Sequence, residues 1–484
     1  MQLTYRPTEI TERFDDTQII TDSGLIPIAQ MLEHADLAAV TDTLLTRDQT
    51  ADVDGRRARP GHKLATTVLG MCAGADTVSD LDMLQAGATP RVFTDIRARS
   101  TIGAFHRALT EDNIAEYAQI AAHLTRSLAR QARLLAAPDR SGLFGTELVM
   151  VDVDDTIVPV HSTRKEGAAL GYTRTVGLSA LLAMVSTWQD RPIIVGQDLR
   201  PGNLGGSACS GQFLTSALDV VRQSWDPTGA LCARVLTRAD SAFYSCAVVH
   251  AAIAHGGYVS VGIKQFPNVK KAIAGIDEDA WIPIIYPGAI LGADGVVIES
   301  PAQVAEVEFI AFSSNSKKAS DRVVGRLVTR RVPSKRAAKY AEKFPDQEQL
   351  YPLYEYHSFF TTLPADEYPT VAADMIHRGH AIVEQVNADL KAGALAHLPF
   401  VKLTANTAWL HACAMSYNLV HAAAALTPTL RSSRTSSIRR KLINVPARIA
   451  RSGRKITVHM PANWPWAADR LALTAALRSP PVAA

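Results

Sequence analysis

One stretch constrains this chain more than any other: Leu148 to His161, LVMVDVDDTIVPVH. Val149, Val151 and Val153 alternate with Met150, Asp152 and Asp154, and apolar residues resume at Ile157, Val158 and Val160. A period of two rich in β-branched residues predicts a strand. Apolar residues on both of its faces predict burial in a mixed sheet. Yet the stretch carries Asp152, Asp154 and Asp155, and unpaired charges are costly in such surroundings. Either the strand ends at Asp154 and the acids form a solvated turn, or the acids meet a cation. The stretch alone leaves both open, so its partners must be sought elsewhere in the chain.

A chain of 484 residues has room for several domains and a sizeable core. Its composition is that of an ordinary globular protein, and its net charge of +3 says little about partners. The distribution of charge says more. From Arg431 to Lys455 the chain carries Arg431, Arg434, Arg439, Arg440, Lys441, Arg448, Arg451, Arg454 and Lys455 with no acid among them, a field suited to phosphates. Cys72, Cys209, Cys232, Cys246 and Cys413 are widely spaced and odd in number, which argues against a disulfide framework or a zinc site. The polar start MQLTYRPTEITERFDD lacks the apolar core of a signal peptide. Ser416, Asn418 and His421 interrupt the apolar tract Ala412 to Ala425, which reads as a buried helix and not a membrane span. The expected location is the cytoplasm.

Taken in order, Gly24 to about Ala137 has apolar residues at helical spacing. Ser100 or Thr101 is placed to cap STIGAFHRAL, and Thr110 with Asn113 to begin TEDNIAEYAQIAAHLTRSLARQARLL. Arg91, Arg97, Arg99 and Arg107 surround the first of these helices, the pattern either of a helix-turn-helix-like DNA contact or of a solvated bundle. After the acidic strand, Val176–Trp188 and Pro192–Leu199 read as strands joined by the turn QDR, Gly211–Gln223 as a helix, and Ala233–Arg238 as a short strand ending at Ala239-Asp240-Ser241. A helix over Tyr244–His255 and a strand over Tyr258–Ile263 follow. This succession is an α/β arrangement, with Asp154 and Asp240 at strand ends, where such sheets place their sites. From Lys264 to Asp366, EVEFIAF, RLVTRRV and YEYHSFFTTL read as antiparallel strands and SSNSKKASDR as a loop. Helices return at Tyr368–Lys391 and Ala405–Leu426.

Within MIHRGHAIVEQVNADLK, His377, His380, Glu384 and Lys391 are spaced three, four and seven residues apart, which puts them on one helical face. Met375, Ile382, Val386 and Leu390 fall opposite. This is either the wet face of an amphipathic helix or a carboxylate flanked by phosphate-binding groups.

Taken together, these stretches resemble the DDE transposases of bacterial insertion sequences. Asp154-Asp155-Thr156 is similar to the first motif of that family, Arg238-Ala239-Asp240-Ser241 to the second, and Glu384 followed by Lys391 to the third. His161-Ser162 with Lys165-Glu166, Arg200-Pro201-Gly202-Asn203 and Glu384-Gln385-Val386 look like one branch of it, the insertion sequence 1380 family, related to the insertion sequence 4 group. The likeness runs from about Gly24 to Trp464. Related families often carry Tyr and Arg seven and four residues before the glutamate, where this chain has His377 and His380.

The resemblance implies an α/β fold: a ribonuclease-H-like catalytic core interrupted by a β-rich insertion, with an α-helical N-terminal domain and a basic C-terminal segment. On that layout residues 1–145 bind DNA ends or dimerise, 146–264 and 367–430 form the core, 265–366 the insertion and 431–484 the basic segment. It further implies two Mg²⁺ ions, replaceable by Mn²⁺, held by Asp154, Asp240 and Glu384, with Asp152 a further candidate. Lys391, Arg378, Arg238, His380, Lys165, Arg439, Arg440 and Lys441 would contact DNA phosphates. The implied partners are double-stranded DNA, as transposon ends and target, and a second copy of the chain in the DNA complex, with no membrane. Two rivals remain. Asp152-Val153-Asp154-Asp155-Thr156 spells the D-x-D-x-T of haloacid-dehalogenase-like phosphatases, in which Asp152 would take the phosphoryl group and Asp154 act as acid and base. A catalytically inactive DNA-binding relative would keep the basic regions and make the acids incidental.

Overall fold

The structure, a computed structural model, describes residues 4–45, 59–135, 148–162, 164–188, 191–206, 208–225, 235–313, 318–334 and 353–478. Cys232, the first two residues of the expected QDR turn, the start of the Ala233–Arg238 strand and residues 314–317 of the SSNSKKASDR loop lie outside them. The chain divides into two compact units, one of Leu135–Ala388 and one of Met1–Leu134 with Asp389–Ala484.

The first unit is built on one mixed sheet. Its long strands are β1 (Val149–Pro159), β2 (Val176–Ser186), β3 (Ile193–Pro201), β4 (Val235–Ala239), β5 (Tyr258–Ile263), β6 (Gln303–Ala311), β7 (Val323–Pro333) and β8 (Tyr354–Thr361). Their order across the sheet is β3-β2-β1-β4-β5-β8-β7-β6. β1 runs parallel to β4 and β4 parallel to β5, while the other neighbours are antiparallel. The acidic stretch is thus a central strand that continues through Asp154 and Asp155, not a turn. β6, β7 and β8, expected as a separate insertion, extend the same sheet, since β8 pairs with β5. That pairing satisfies the backbone groups that an edge strand at β5 would leave open.

Both faces of the sheet are covered, which accounts for the unbroken apolar runs of β1 and β2. Helix α1 (Ser210–Trp225) packs on β3 and on α2 (Cys246–Ala254), which Ser245 caps by accepting from the Val248 N–H. Gly196 on β3 permits this approach, because a Cβ there would stand 3.1 Å from Phe213 and 3.3 Å from Ala217. On the other face Met150 and Leu236 pack with Leu363, Tyr368 and Ile376, the last on α3 (Thr370–Arg378).

The expected continuous helix to Lys391 is broken. A 3-10 turn over Gly379–Ala381 separates α3 from α4 (Ile382–Lys391). Arg238 supplies the reason. Its Nη1 donates to the Ile376 carbonyl (2.7 Å), and a Cβ at position 379 would stand 2.6 Å from that nitrogen. The break turns the helix about its axis. His377, expected on the wet face, is half-buried and stacked on Phe359 with ring centroids 4.0 Å apart, and its Nδ1 lies 2.9 Å from Ser260 Oγ. Met375, expected in the core, is 42% exposed.

In the second unit a helix over Leu403–Ala425 is buried on nearly every side among helices Pro60–Ala73, Arg99–Ala108 and Glu111–Gln131. The helix Glu111–Gln131 begins as expected, the Thr110 N–H donating to Asn113 Oδ1 (3.1 Å). The helix Arg99–Ala108 starts before Ser100 and has no side-chain cap. Arg97 pairs with Asp95 and Arg99 with Asp82. The basic segment is folded: strand Ala447–Ser452 pairs with Ile19–Ile20 on one side and Lys455–His459 on the other, over a core of Ile20, Ala88, Ala447 and Ile449. Among the described residues Cys72, Cys209, Cys246 and Cys413 are free thiols, and no helix is long and apolar enough to cross a membrane.

Two predictions arise from this packing. Burial holds both His106 and His411 down to a pKa of about 4, so each stays neutral in the fold. The unfolded chain takes up those protons near its ordinary histidine value, so their contribution is complete above about pH 6.5. It declines as pH falls toward 4, by up to about 3 kcal/mol per histidine. Urea unfolding measured across that range should lose stability on the acid side, and His106→Phe should shrink the slope by about one proton. Secondly, Arg238→Met strands Asp152 and should cost about 3–5 kcal/mol, whereas Asp152→Leu with Arg238→Met should recover most of it. The same unfolding measurement reads both.

Candidate active site

The parallel register between β1 and β4 pairs Asp152 with Arg238 and Val153 with Ala239, where β4 ends. Asp154 and Asp240 are the next residues along each strand. Because side chains alternate across a strand, Asp152 and Asp154 share a face and Asp155 takes the opposite one. β1 continues beyond this point against β2 alone. The gap left by its parallel neighbour is the crevice at carboxyl ends where α/β sheets carry their sites.

The three acids of β1 have three different surroundings. Asp152 is fully buried. Its Oδ1 accepts from Arg238 Nε and from His380 Nδ1, both at 2.8 Å, and its Oδ2 from Arg238 Nη2 at 2.7 Å. Burial alone would raise its pKa, but Arg238 and His380 outweigh it and hold the carboxyl below the usual range. Asp155, on the opposite face, accepts from Ser179 Oγ (3.0 Å) and lies 3.6 Å from Arg200, with burial raising its pKa above the usual value.

Asp154 differs from both. It is half-buried, and its one hydrogen bond to a described side chain comes from Asn387 Nδ2, at 2.8 Å. Burial raises it to about 6; the charges of Asp240 and Asp155 push the same way, against His380 and the Asn387 bond. Asp240 is exposed and caps the turn Ser241–Phe243, accepting from the Ala242 N–H (2.8 Å). Gly262 on β5 lets that turn sit close, since a Cβ there would be 2.8 Å from the Ser241 nitrogen. Tyr172, 70% exposed, donates to the Asp155 carbonyl (3.2 Å) beside the charges of Asp155, Asp154 and Asp240.

Asp154, within β1 and not at its end as expected, and Asp240, just after β4, are thus near enough for the charge of Asp240 to act on Asp154. Hard divalent cations take such oxygens. The neighbouring Asn387 Oδ1 is buried with no hydrogen-bond partner among the described residues, an orphan acceptor that suits a cation beside Asp154. The expected third acid is not assembled with them: Glu384 is exposed on α4. Among the described residues no group of three His, Cys, Asp or Glu side chains is placed to share a metal ion. Asn387, three residues further along α4, is the residue of that helix that touches Asp154.

Several expected roles are corrected by these contacts. Asp152 can serve neither as metal ligand nor as phosphoryl nucleophile, because both of its oxygens are engaged and sealed from solvent. Arg238 is 2% exposed and committed to Asp152 and Ile376, so it cannot grip DNA phosphates. Arg439 donates to the carbonyls of Cys72 (3.1 Å) and Met71 (3.2 Å), a structural role. His380 faces Asp152, and Arg378 donates to Asp374 (2.7 Å), which also takes Arg330. Lys165 lies in the loop after β1, partly buried, and Lys391 ends α4. Arg440 is exposed, and Lys441 stands 5.0 Å from the Trp466 ring. Asn387 and Tyr172 were missed by reasoning from sequence. The spacing of Asn387, seven residues after His380, was the available signal for the first; for Tyr172 there was none.

The sequence matches the family model described as transposase DDE domain group 1 over residues 4–481. No curated protein matches it. With the match spanning nearly the whole chain, the protein belongs to the DDE transposase family.

Proposed function

We propose that this chain cuts and joins DNA at the ends of a mobile element of the insertion sequence 1380 type, with Asp154, Asp240 and Glu384 as its catalytic acids. The observation that carries the reading is the adjacency of Asp154 and Asp240 beyond the last paired residues of β1 and β4. The strand order β3-β2-β1-β4-β5, with β1, β4 and β5 parallel, supports a ribonuclease-H-like core.

Transposases of this family generally use divalent metal ions. Asp154 and Asp240 would hold the ion here, with Asn387 beside them. Such an ion supplies charge neutralisation at a scissile phosphate and lowers the pKa of an attacking oxygen. The chain's own residues do the rest. Asp152, Arg238 and His380 fix the strand on which Asp154 stands. Asn387 orients one Asp154 oxygen, and the turn capped by Asp240 is pinned against Gly262. Glu384 would have to approach from α4, whose entry is set by the break at Gly379. In the DNA complex Arg440, Lys441 and Lys391 would meet phosphates of the terminal repeats, Lys165 those near the cut. Handling two ends at once calls for a homodimer. Asp152 being closed off, the geometry does not favour a phosphatase.

The test is a Mg²⁺-dependent nicking assay on a duplex carrying the inverted repeat that flanks the gene. Asp240→Ala should abolish cleavage and leave end binding intact; loss of both together would count against a metal role for Asp240. Asn387→Ala should raise the Mg²⁺ needed for half-maximal rate by about 10- to 100-fold, with little change in DNA affinity.

A further inference from the structure

The hairpin Ala447–Ser452 with Lys455–His459 stands on a packed base and ends in an unpacked tip. At the base, Ala447 and Ile449 are buried against Ile20 and Ala88, with Val458 and Met460 packed beside them. Beyond Ile449↔Val458 the alternation of buried and exposed residues stops, and Ala450 to Thr457 are exposed on both faces. Ser452 pairs with Lys455 across a two-residue turn whose Gly453 has a φ of +59°, and a Cβ there would meet nothing within 4 Å.

The tip carries Arg451, Arg454 and Lys455, with Arg448 lower on the same ribbon. Among the described residues no carboxylate lies within ion-pair distance of Arg451, Arg454 or Lys455; Arg451 Nε donates only to the Gly453 carbonyl, at 3.4 Å. The deficit of acid is broader than the hairpin, since no Asp or Glu occurs between Asp389 and Asp469. Ile456, 48% exposed, puts an apolar side chain among the cations. Folding alone does not call for three unpaired cations on a projecting ribbon.

We propose that this hairpin tip enters the major groove of double-stranded DNA, its arginines and lysine meeting the phosphates of the groove walls. The dimensions agree. About three residues per strand project beyond the base, roughly 10 Å at ~3.3 Å per residue. The major groove of B-form DNA is about 8.5 Å deep and 12 Å wide and admits a two-stranded ribbon, whereas the undeformed minor groove is only about 6 Å wide. The inference rests on the reading of this chain as an enzyme of duplex DNA, and it names a contact element that the catalytic acids do not provide.

The experiment compares the full-length protein with its R451A/R454A/K455A and R451K/R454K variants. Binding to a mixed-sequence DNA duplex and to an RNA duplex of the same sequence is measured in EDTA at several salt concentrations. The triple variant should lower the slope of log K against log salt by about 2.7 for three lost phosphate contacts. Between 50 and 200 mM salt the wild type should then lose about 40-fold more affinity for DNA than the variant does. R451K/R454K should keep the wild-type slope. RNA binding should change much less, because the A-form major groove is too narrow for a ribbon. Equal losses on DNA and RNA would overturn the groove assignment, and an unchanged DNA slope would overturn the hairpin's role while leaving the transposase reading in place. A wild-type protein with no affinity for duplex DNA would instead remove the reading on which the inference rests.

Discussion

A guanidinium sealed inside a sheet needs its donors satisfied, because each unpaired polar group there costs on the order of 1–3 kcal/mol. Arg238 meets this demand from two directions, with Nε and Nη2 on Asp152 and Nη1 on the Ile376 carbonyl. The first contact ties β4 to β1 across the parallel register; the second ties both to α3. Since the second contact occupies a helical carbonyl and leaves no room for a Cβ at Gly379, it also ends α3 there. One buried side chain therefore decides where the next helix begins and which of its residues face the acids.

Much follows from that single tie. Because Asp152 is spent on it, the adjacent same-face position, Asp154, is the first acid on β1 free for chemistry on that side of the sheet. The environments then separate the roles: Asp152 is held ionised by a cation, Asp155 is bound to Ser179 and Arg200 on the far face, and Asp154 is raised to about 6 by burial and by its acidic neighbours. Identical side chains within four residues acquire different protonation behaviour from what surrounds them. A perturbed acid in a crevice at strand ends is a functional candidate on physical grounds alone.

The strands were legible in the sequence because a period of two is a local signal, and so was the place of Asp240 just after a short strand. The helices around Thr110 and Leu403–Ala425 were legible for the same reason. Two kinds of information were not. Which acid of β1 is buried against a cation depends on Arg238, 86 residues away in the chain, and no local pattern carries that pairing. The face of the helix that carries Glu384 was misread because helical periodicity assumes an unbroken helix. The turn at Gly379 inverted Met375 and His377 relative to that assumption. The strands between Lys264 and Asp366 were read as antiparallel, but their union with the sheet depends on β8 finding β5, a contact set by topology.

The residue of α4 that touches Asp154 is an amide, and electrostatics explains why that position suits one. Two unit charges 4 Å apart at an effective dielectric of about 20 repel by roughly 4 kcal/mol. Asp154 already feels Asp240 and Asp155. A third carboxylate in contact would add a comparable cost, whereas the Asn387 amide donates a hydrogen bond and brings no net charge. Glu384, one turn earlier, stays in solvent, where its charge is hydrated. Positive charge between Asp154 and Asp240 would reverse the sign of that term and make the approach of Glu384 favourable. On the proposed chemistry, Glu384 would thus be drawn in by the charge that Asp154 and Asp240 would hold.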